Sequence, residues 1–175
     1  MGVYWEAAKM SFIIILAVVA AITDLGERRI PNGLVYPAML VGIILHLITG
    51  QAGKGFLGLS LGFIVLVLPW TKGWLGEGDV KLAMAIGALG GPQFLLKTLV
   101  LGSVAGSIAG IILLVRAGKL KRFGHNVCAG IVALLSGSKV DLEGLDLYMP
   151  YGPFISIGVL MSLGWRGDLN ALLPH

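Results

Sequence analysis

Two aspartates, Asp24 and Asp79, stand at the ends of apolar runs that otherwise suit a lipid environment. Ionisable residues at or inside a membrane are costly, so they are functional candidates by default. Two carboxyl groups that converge can share one proton and activate a water molecule, as in aspartic proteases. Taken alone, Asp24 could be a solvated residue at the end of a span, and Asp79 could be a helix N-cap. The pair is a candidate catalytic centre because it occupies two span ends.

The composition predicts a membrane protein. Of 175 residues, 57% are hydrophobic and 13% are charged, whereas a typical soluble domain has about 25% charged residues. The single cysteine, Cys128, excludes an intramolecular disulfide and a four-thiolate zinc site. We expect an all-α polytopic membrane helix bundle that forms one membrane-embedded domain over 1–175. We expect no cofactor, no metal and no nucleic acid.

Six apolar stretches are candidate transmembrane helices: 4–24, 33–49, 55–71, 79–91, 93–115 and 151–165. Six crossings place Asp24 and Asp79 on the same side of the membrane. That side also holds nine of the 13 lysines and arginines, and an excess of these residues marks the cytoplasmic side. The pattern predicts a multi-pass protein of the cytoplasmic (inner) membrane, with both termini outside and both acids facing the cytoplasm.

The segment before Asp79 is rich in glycine. Gly76 and Gly78 bracket Glu77, and glycine permits positive φ and close backbone approach. An extended peptide laid against such a segment could pair with it through main-chain hydrogen bonds. The alternative for these glycines is a flexible turn.

Three segments in order resemble one family. "GEGDVKL" at 76–82 is similar to the GxGD motif of the type IV prepilin peptidases, which are membrane-embedded aspartyl proteases. "DLGERRIPN" at 24–32 resembles the family's first-aspartate segment, and "MPYGPFISIG" at 149–158 resembles the entry to its last span. The resemblance covers the chain from about residue 10 to about residue 165.

The resemblance implies a peptidase that removes the short basic leader of prepilin-like precursors at the cytoplasmic membrane face. Asp24 and Asp79 would be its catalytic pair. The implied partners are a precursor with a basic leader and an apolar helix, membrane lipids, and components of a pilus or secretion assembly. The chain starts close to its first span and has one cysteine. It is therefore similar to the short, peptidase-only form associated with Flp or tight-adherence pili, without a separate methyltransferase domain; archaeal preflagellin peptidases are also short.

Three charged residues near Asp79 are candidate substrate contacts. By default Lys72, Glu77 and Lys81 are solvated charges at the membrane interface. The sharper hypothesis is that Lys72 or Lys81 recognises an acid just downstream of the substrate's cut, while Glu77 faces the basic leader.

Other interpretations compete with the protease. The alternative function is a small multi-pass transporter or assembly subunit that uses Asp24 and Asp79 to handle protons or a cation. "GLSLG" at 58–62 matches the G-x-S-x-G of serine hydrolases, but it lies in an apolar span instead of a strand–turn–helix.

His46 is expected to be a hydrogen-bonded or interfacial residue. The stretch 125–137, too short to cross, is expected to lie along the cytoplasmic leaflet or to re-enter it.

Overall fold

The computed structural model describes residues 2–72, 75–116, 118 and 151–164, with side chains from Lys9 onward. Nearly all of these residues lie in five helices: α1 (Gly2–Glu27), α2 (Asn32–Ile48), α3 (Ala52–Thr71), α4 (Glu77–Arg116) and α5 (Gly152–Gly164). The described ranges contain no strand. The predicted all-α class is confirmed.

The helices have the length and surface of a membrane bundle. Among the described residues, three helices are long and apolar enough to cross a membrane: Lys9–Glu27 of α1, α3 and α4. The shorter helices α2 and α5 are also apolar. Large apolar side chains such as Ile22 and Leu68 remain exposed on the outside of the bundle. A soluble monomer does not usually expose large apolar patches, so these faces are suited to lipid. The predicted multi-pass helix bundle is confirmed.

The fourth and fifth predicted spans are two arms of α4. The helix is interrupted at Gly91, where φ is 81° and ψ is 174°. Glycine reaches this positive φ without steric cost, and the following Pro92 disfavours a helical conformation at the residue before it. The break divides α4 into a first arm (77–90) and a second arm (92–116), close to the limits that the hydrophobic pattern predicted.

The first arm of α4 runs through the core of the bundle. Six of its residues have no exposed surface: Leu82, Ala83, Ala85, Ile86, Ala88 and Leu89. Small residues let neighbouring helices approach it closely. A Cβ added at Gly42 of α2 would lie 2.6 Å from the carbonyl carbon of Ala88, and one added at Gly58 of α3 would overlap the Gly87 carbonyl. Such contacts are a main source of helix association in lipid, and here they fix the helix that carries Asp79.

Helix α5 packs against α1. The Ser156 hydroxyl lies 2.7 Å from the Ala17 carbonyl oxygen of α1 and 2.9 Å from the Gly152 carbonyl oxygen of its own helix. These contacts hold the start of α5 beside the last turns of α1, where Asp24 is found.

The chain divides into two compact units, Met1–Ala105 with Pro150–His175, and Gly106–Met149. Both aspartates lie in the first unit. Of the second, the structure describes the end of α4 and Gly118. The predicted leaflet or re-entrant segment at 125–137 lies outside the described residues. The single domain over 1–175 stays a prediction.

Candidate active site

Asp24 lies in the last turn of α1 and is 6% exposed. Its Oδ2 accepts a hydrogen bond from the backbone N–H of Gly152 at the start of α5, at 3.2 Å. The helix ends just beyond it. Arg28 has a φ of 54°, and its N–H donates to the Asp24 carbonyl oxygen at 3.0 Å. This left-handed residue turns the chain away from α1 immediately after the aspartate.

Asp79 lies in the first turn of α4 and is 7% exposed. Its Oδ2 accepts the backbone N–H of Gly76 at 3.1 Å, and its own N–H donates to the Gly76 carbonyl oxygen at 3.2 Å. Gly76 is therefore the N-cap residue of α4. The Asp79 side chain, at the third helical position, accepts the N–H of this N-cap residue, as in a capping box. The N-cap position suggested by the sequence belongs to Gly76.

One oxygen of Asp79 is left without a partner. Oδ1 is buried and accepts no hydrogen bond from the described residues. A buried carboxylate oxygen without a donor is costly, and such atoms are typical of sites that bind water or substrate. The free oxygen is available for chemistry while Oδ2 holds the side chain in place.

The two aspartates are brought together by contacts between the segments that carry them. A Cβ added at Gly78, next to Asp79, would lie 3.0 Å from the Ile30 Cβ in the turn after α1. In the same region Lys81 Nζ donates to Asn32 Oδ1 at 2.9 Å. Asp24 is near enough for its charge to act on Asp79. The segments that carry the two aspartates therefore lie against each other, and joint action of the two carboxyl groups stays a prediction.

The predicted substrate-binding residues have different surroundings. The N–H of Gly76 is occupied by Asp79, and Gly78 is packed against Ile30. Glu77 is 63% exposed and forms an ion pair with Lys81. Lys72 is exposed at the end of α3. Their roles toward a substrate stay predictions.

Lys81 has more neighbours than a solvated lysine. Besides Glu77 and Asn32, the Tyr36 ring lies 5.3 Å from its ammonium nitrogen, a cation–π distance. Lys81 thereby joins the start of α4 to the start of α2.

Sequence reasoning gave no role to Gly152, the donor to Asp24. The signal was present in "YGP" at 151–153, since a glycine directly before a proline at a helix start combines a free N–H with close backbone approach. What the sequence does not state is which of the distant aspartates that N–H reaches.

The serine-hydrolase pattern is a packing surface. Gly58 and Gly62 contact the first arm of α4, and Ser60 between them is exposed within α3. His46 is 3% exposed, and its Nδ1 lies 3.0 Å from the Gly42 carbonyl oxygen of its own helix. The prediction of a hydrogen-bonded structural histidine is confirmed.

Residues 11–111 match the model of the type IV leader peptidase family. This range contains both aspartates and more than half of the chain.

Curated relatives agree with this match. The chain is 31% identical over 178 residues to a prepilin leader peptidase/N-methyltransferase of Aeromonas salmonicida strain A449, covering 95% of this chain and 48% of the relative. It is 29% identical over 162 residues to the protein of the same name from Stutzerimonas stutzeri, covering 83% and 55%. Identity is also 29% over 156 residues with the Pseudomonas aeruginosa protein, covering 79% and 53%.

The chain thus spans about half the length of the curated relatives it matches. No solved structure gives a significant match. The family model covers more than half of the chain, and these relatives match 79–95% of it. The chain therefore belongs to the type IV leader peptidase family.

Proposed function

We propose that the chain is an aspartyl endopeptidase that removes the leader peptide of type IV prepilin-like precursors at the cytoplasmic face of the inner membrane. The observation that carries the proposal is a pair of buried carboxyl groups, each held by one glycine N–H, on distant segments that contact each other. Family membership supports the peptidase, and the names of the relatives support the prepilin leader as its target.

The proposed reaction is hydrolysis by a water molecule held between the two carboxyl groups. One carboxylate takes a proton from the water as its oxygen attacks the carbonyl carbon of the scissile peptide bond. The other carboxyl group, protonated, gives its proton to the carbonyl oxygen. The proton taken from the water then passes to the amide nitrogen, so that the C–N bond breaks and leaves a carboxylic acid and an amine, while the second carboxyl group regains its proton from the intermediate. The free Oδ1 of Asp79 is suited to the water, because no protein donor competes for it among the described residues. The matched relatives are named as peptidases, which favours this reaction over the transporter alternative.

The charge pattern supports the cytoplasmic location. Under the six-span topology most lysines and arginines share the side of Asp24 and Asp79, and this bias favours the cytoplasmic side. A basic leader, which is too polar to enter lipid, would reach the site from that side.

The first test is leader cleavage by single variants. Asp24→Asn and Asp79→Asn each keep an oxygen that can accept the glycine N–H, so both are expected to fold. Either change should lower the rate of leader removal from a co-expressed prepilin by about 10²–10⁴-fold, the range of general acid–base catalysis. The measurement is the mobility shift of the processed precursor, normalised to the amount of peptidase in the membrane.

Glu27→Gln is the matched control, because Glu27 is an exposed acid three residues beyond Asp24. It should process at the wild-type rate. Wild-type processing by either aspartate variant would remove that residue from the chemistry and defeat the proposal.

Within this proposal Glu77 faces the basic leader, since its carboxylate is exposed and it lies two residues before Asp79. Glu77→Gln should slow cleavage of a precursor with a basic leader and leave unchanged a precursor whose leader lysines and arginines are replaced by glutamine. The measurement is the ratio of the two cleavage rates. An equal loss with both precursors would exclude charge recognition by Glu77.

A further inference from the structure

The start of α5 presents one backbone N–H to the Asp24 carboxyl. Tyr151 precedes the helix, and its carbonyl oxygen accepts the N–H groups of Phe154 and Ile155, each at 3.0 Å. Pro153 has no N–H to give. Gly152 is left, and its N–H donates to Asp24 Oδ2 at 3.2 Å. Of the first four residues of α5, only Gly152 thus has an N–H that the local turn does not use, and this N–H donates to the Asp24 carboxyl.

Gly152 also leaves no room for a side chain on the Asp24 side. A Cβ added there would lie 2.7 Å from Asp24 Oδ2 and 3.0 Å from Cγ. Side-chain atoms in folded proteins do not approach so closely without displacement, so any larger residue has to push the carboxyl group or the helix aside. The absence of a side chain is what allows the N–H to reach its acceptor.

A second contact fixes the direction of the donor. Ser156, one turn further along α5, is buried and donates to the Ala17 carbonyl oxygen of α1 at 2.7 Å. Ala17 lies two turns before Asp24 on the same helix. Helix α5 is therefore attached to α1 at two points, Gly152 to the Asp24 carboxyl and Ser156 to the Ala17 carbonyl oxygen.

We propose that Gly152 is a positioning residue for Asp24: its N–H and its missing side chain hold the carboxyl group in the orientation that it needs to act with Asp79. This inference rests on the proposed protease function and extends it to a third segment, the start of α5. It assigns to Gly152 a contact with the catalytic side chain and none with the substrate.

Alanine at position 152 tests the proposal with two matched controls on the same helix. Gly158 is even more crowded, since an added Cβ would overlap the Thr98 carbonyl oxygen and lie 2.8 Å from the Gly102 nitrogen. Gly164 faces open space, with no atom within 4 Å of an added Cβ. The assay uses the full chain in detergent micelles with a purified type IV prepilin, and it measures kcat, KM and the midpoint of thermal unfolding.

The expected result is a kcat for Gly152→Ala about 10²-fold below wild type, the loss that a displacement of about 1 Å can cause, with KM within about twofold. Gly158→Ala should lower the unfolding midpoint and keep kcat per folded molecule, and Gly164→Ala should change neither. Wild-type kcat in Gly152→Ala, or an equal loss of kcat in Gly158→Ala, would overturn the positioning role.

A backbone ester at position 152 tests the N–H donor separately from the missing side chain. Glycolic acid in place of Gly152 replaces the N–H by oxygen and adds no side chain. A hydrogen bond to a charged group contributes about 1.5–3 kcal/mol, so kcat should fall by about 10–100-fold. A wild-type kcat in the ester would refute the donor role even if Gly152→Ala fails to fold.

The outcomes distinguish this inference from the function on which it rests. If Asp24→Asn processes the precursor normally, the protease proposal fails. If Asp24→Asn is inactive while Gly152→Ala and the ester are fully active, the protease stands and only the role of Gly152 is lost.

Discussion

The two aspartates are held by the same kind of contact but by opposite routes through the chain. Asp79 receives its hydrogen bond from Gly76, three residues earlier in the sequence. Asp24 receives its hydrogen bond from Gly152, 128 residues later. In both cases a glycine N–H is donated to Oδ2 of a buried carboxyl group. The local contact forms with the first turn of α4, whereas the distant one exists only when α5 has packed against α1.

This difference predicts that the two contacts differ in their sensitivity to substitution of the donor glycine. The Gly76–Asp79 contact belongs to the helix start, and the helix favours it through its free N–H groups and its dipole. The Gly152–Asp24 contact depends on close packing of two helices, since a Cβ added at Gly152 would lie 2.7 Å from Asp24 Oδ2. The local site should tolerate small changes that the distant site does not.

Gly76→Pro should have the larger effect at the local site. Proline removes the N–H that Asp79 accepts, although it is compatible with a helix start, as Pro31 shows at the N-cap of α2. Loss of a hydrogen bond to a charged group is expected to lower kcat about tenfold or more. The measurement is kcat for leader cleavage at equal amounts of folded enzyme. A wild-type kcat would mean that the capping contact has no part in orienting Asp79.

Gly76→Ala should have the smaller effect, because alanine keeps the N–H. An added Cβ would lie 3.3 Å from Asp79 Oδ2, a tight contact that a shift of a few tenths of an ångström relieves. We expect kcat within about threefold of wild type, because the hydrogen bond to Asp79 Oδ2, which contributes about 1.5–3 kcal/mol, is retained. If Gly76→Ala lowered kcat as much as Gly152→Ala, the contrast between the local glycine donor and the distant one would be wrong.

Much of this site was predictable because its signals are local. Hydrophobic stretches predicted six helical segments, and "GEGDV" placed Asp79 at a helix start. The break at Gly91–Pro92 coincides with the predicted end of the fourth span, since both residues act on their own backbone. The charge bias and the span order together predicted that Asp24 and Asp79 share one end of the bundle.

The partners of individual side chains in the site could not be predicted from the sequence. The donor to Asp79 was not specified by the sequence: the N–H of Gly76 donates to Asp79 Oδ2, and pairing of this segment with an extended substrate stays a prediction. The fold surrounds Lys81 with Glu77, Asn32 and Tyr36, contacts that the hydrophobic pattern does not specify, and the role of Lys81 toward a substrate stays a prediction. The role of Gly152 requires knowing that α5 lies beside α1, which the pattern of hydrophobic residues does not specify.

The shared site requires that the turn after Asp24 touches the helix start that carries Asp79, and a cross-link tests this contact. The pair Ile30→Cys and Gly78→Cys, with Cys128→Ser to remove the native thiol, places the Cβ atoms about 3.0 Å apart. A disulfide needs about 3.5–4.5 Å, so a small shift suffices. Gly26→Cys with Gly78→Cys is the control, because no atom lies within 4 Å of a Cβ at Gly26.

A protease site inserted at the exposed turn around Gly50 lets non-reducing electrophoresis report the cross-link after cleavage. Mild oxidation in native membranes should join most of the Ile30→Cys/Gly78→Cys chains and few of the control chains. A normally abundant Ile30→Cys/Gly78→Cys protein that forms no cross-link would contradict the meeting of the two aspartate segments, and with it the shared site.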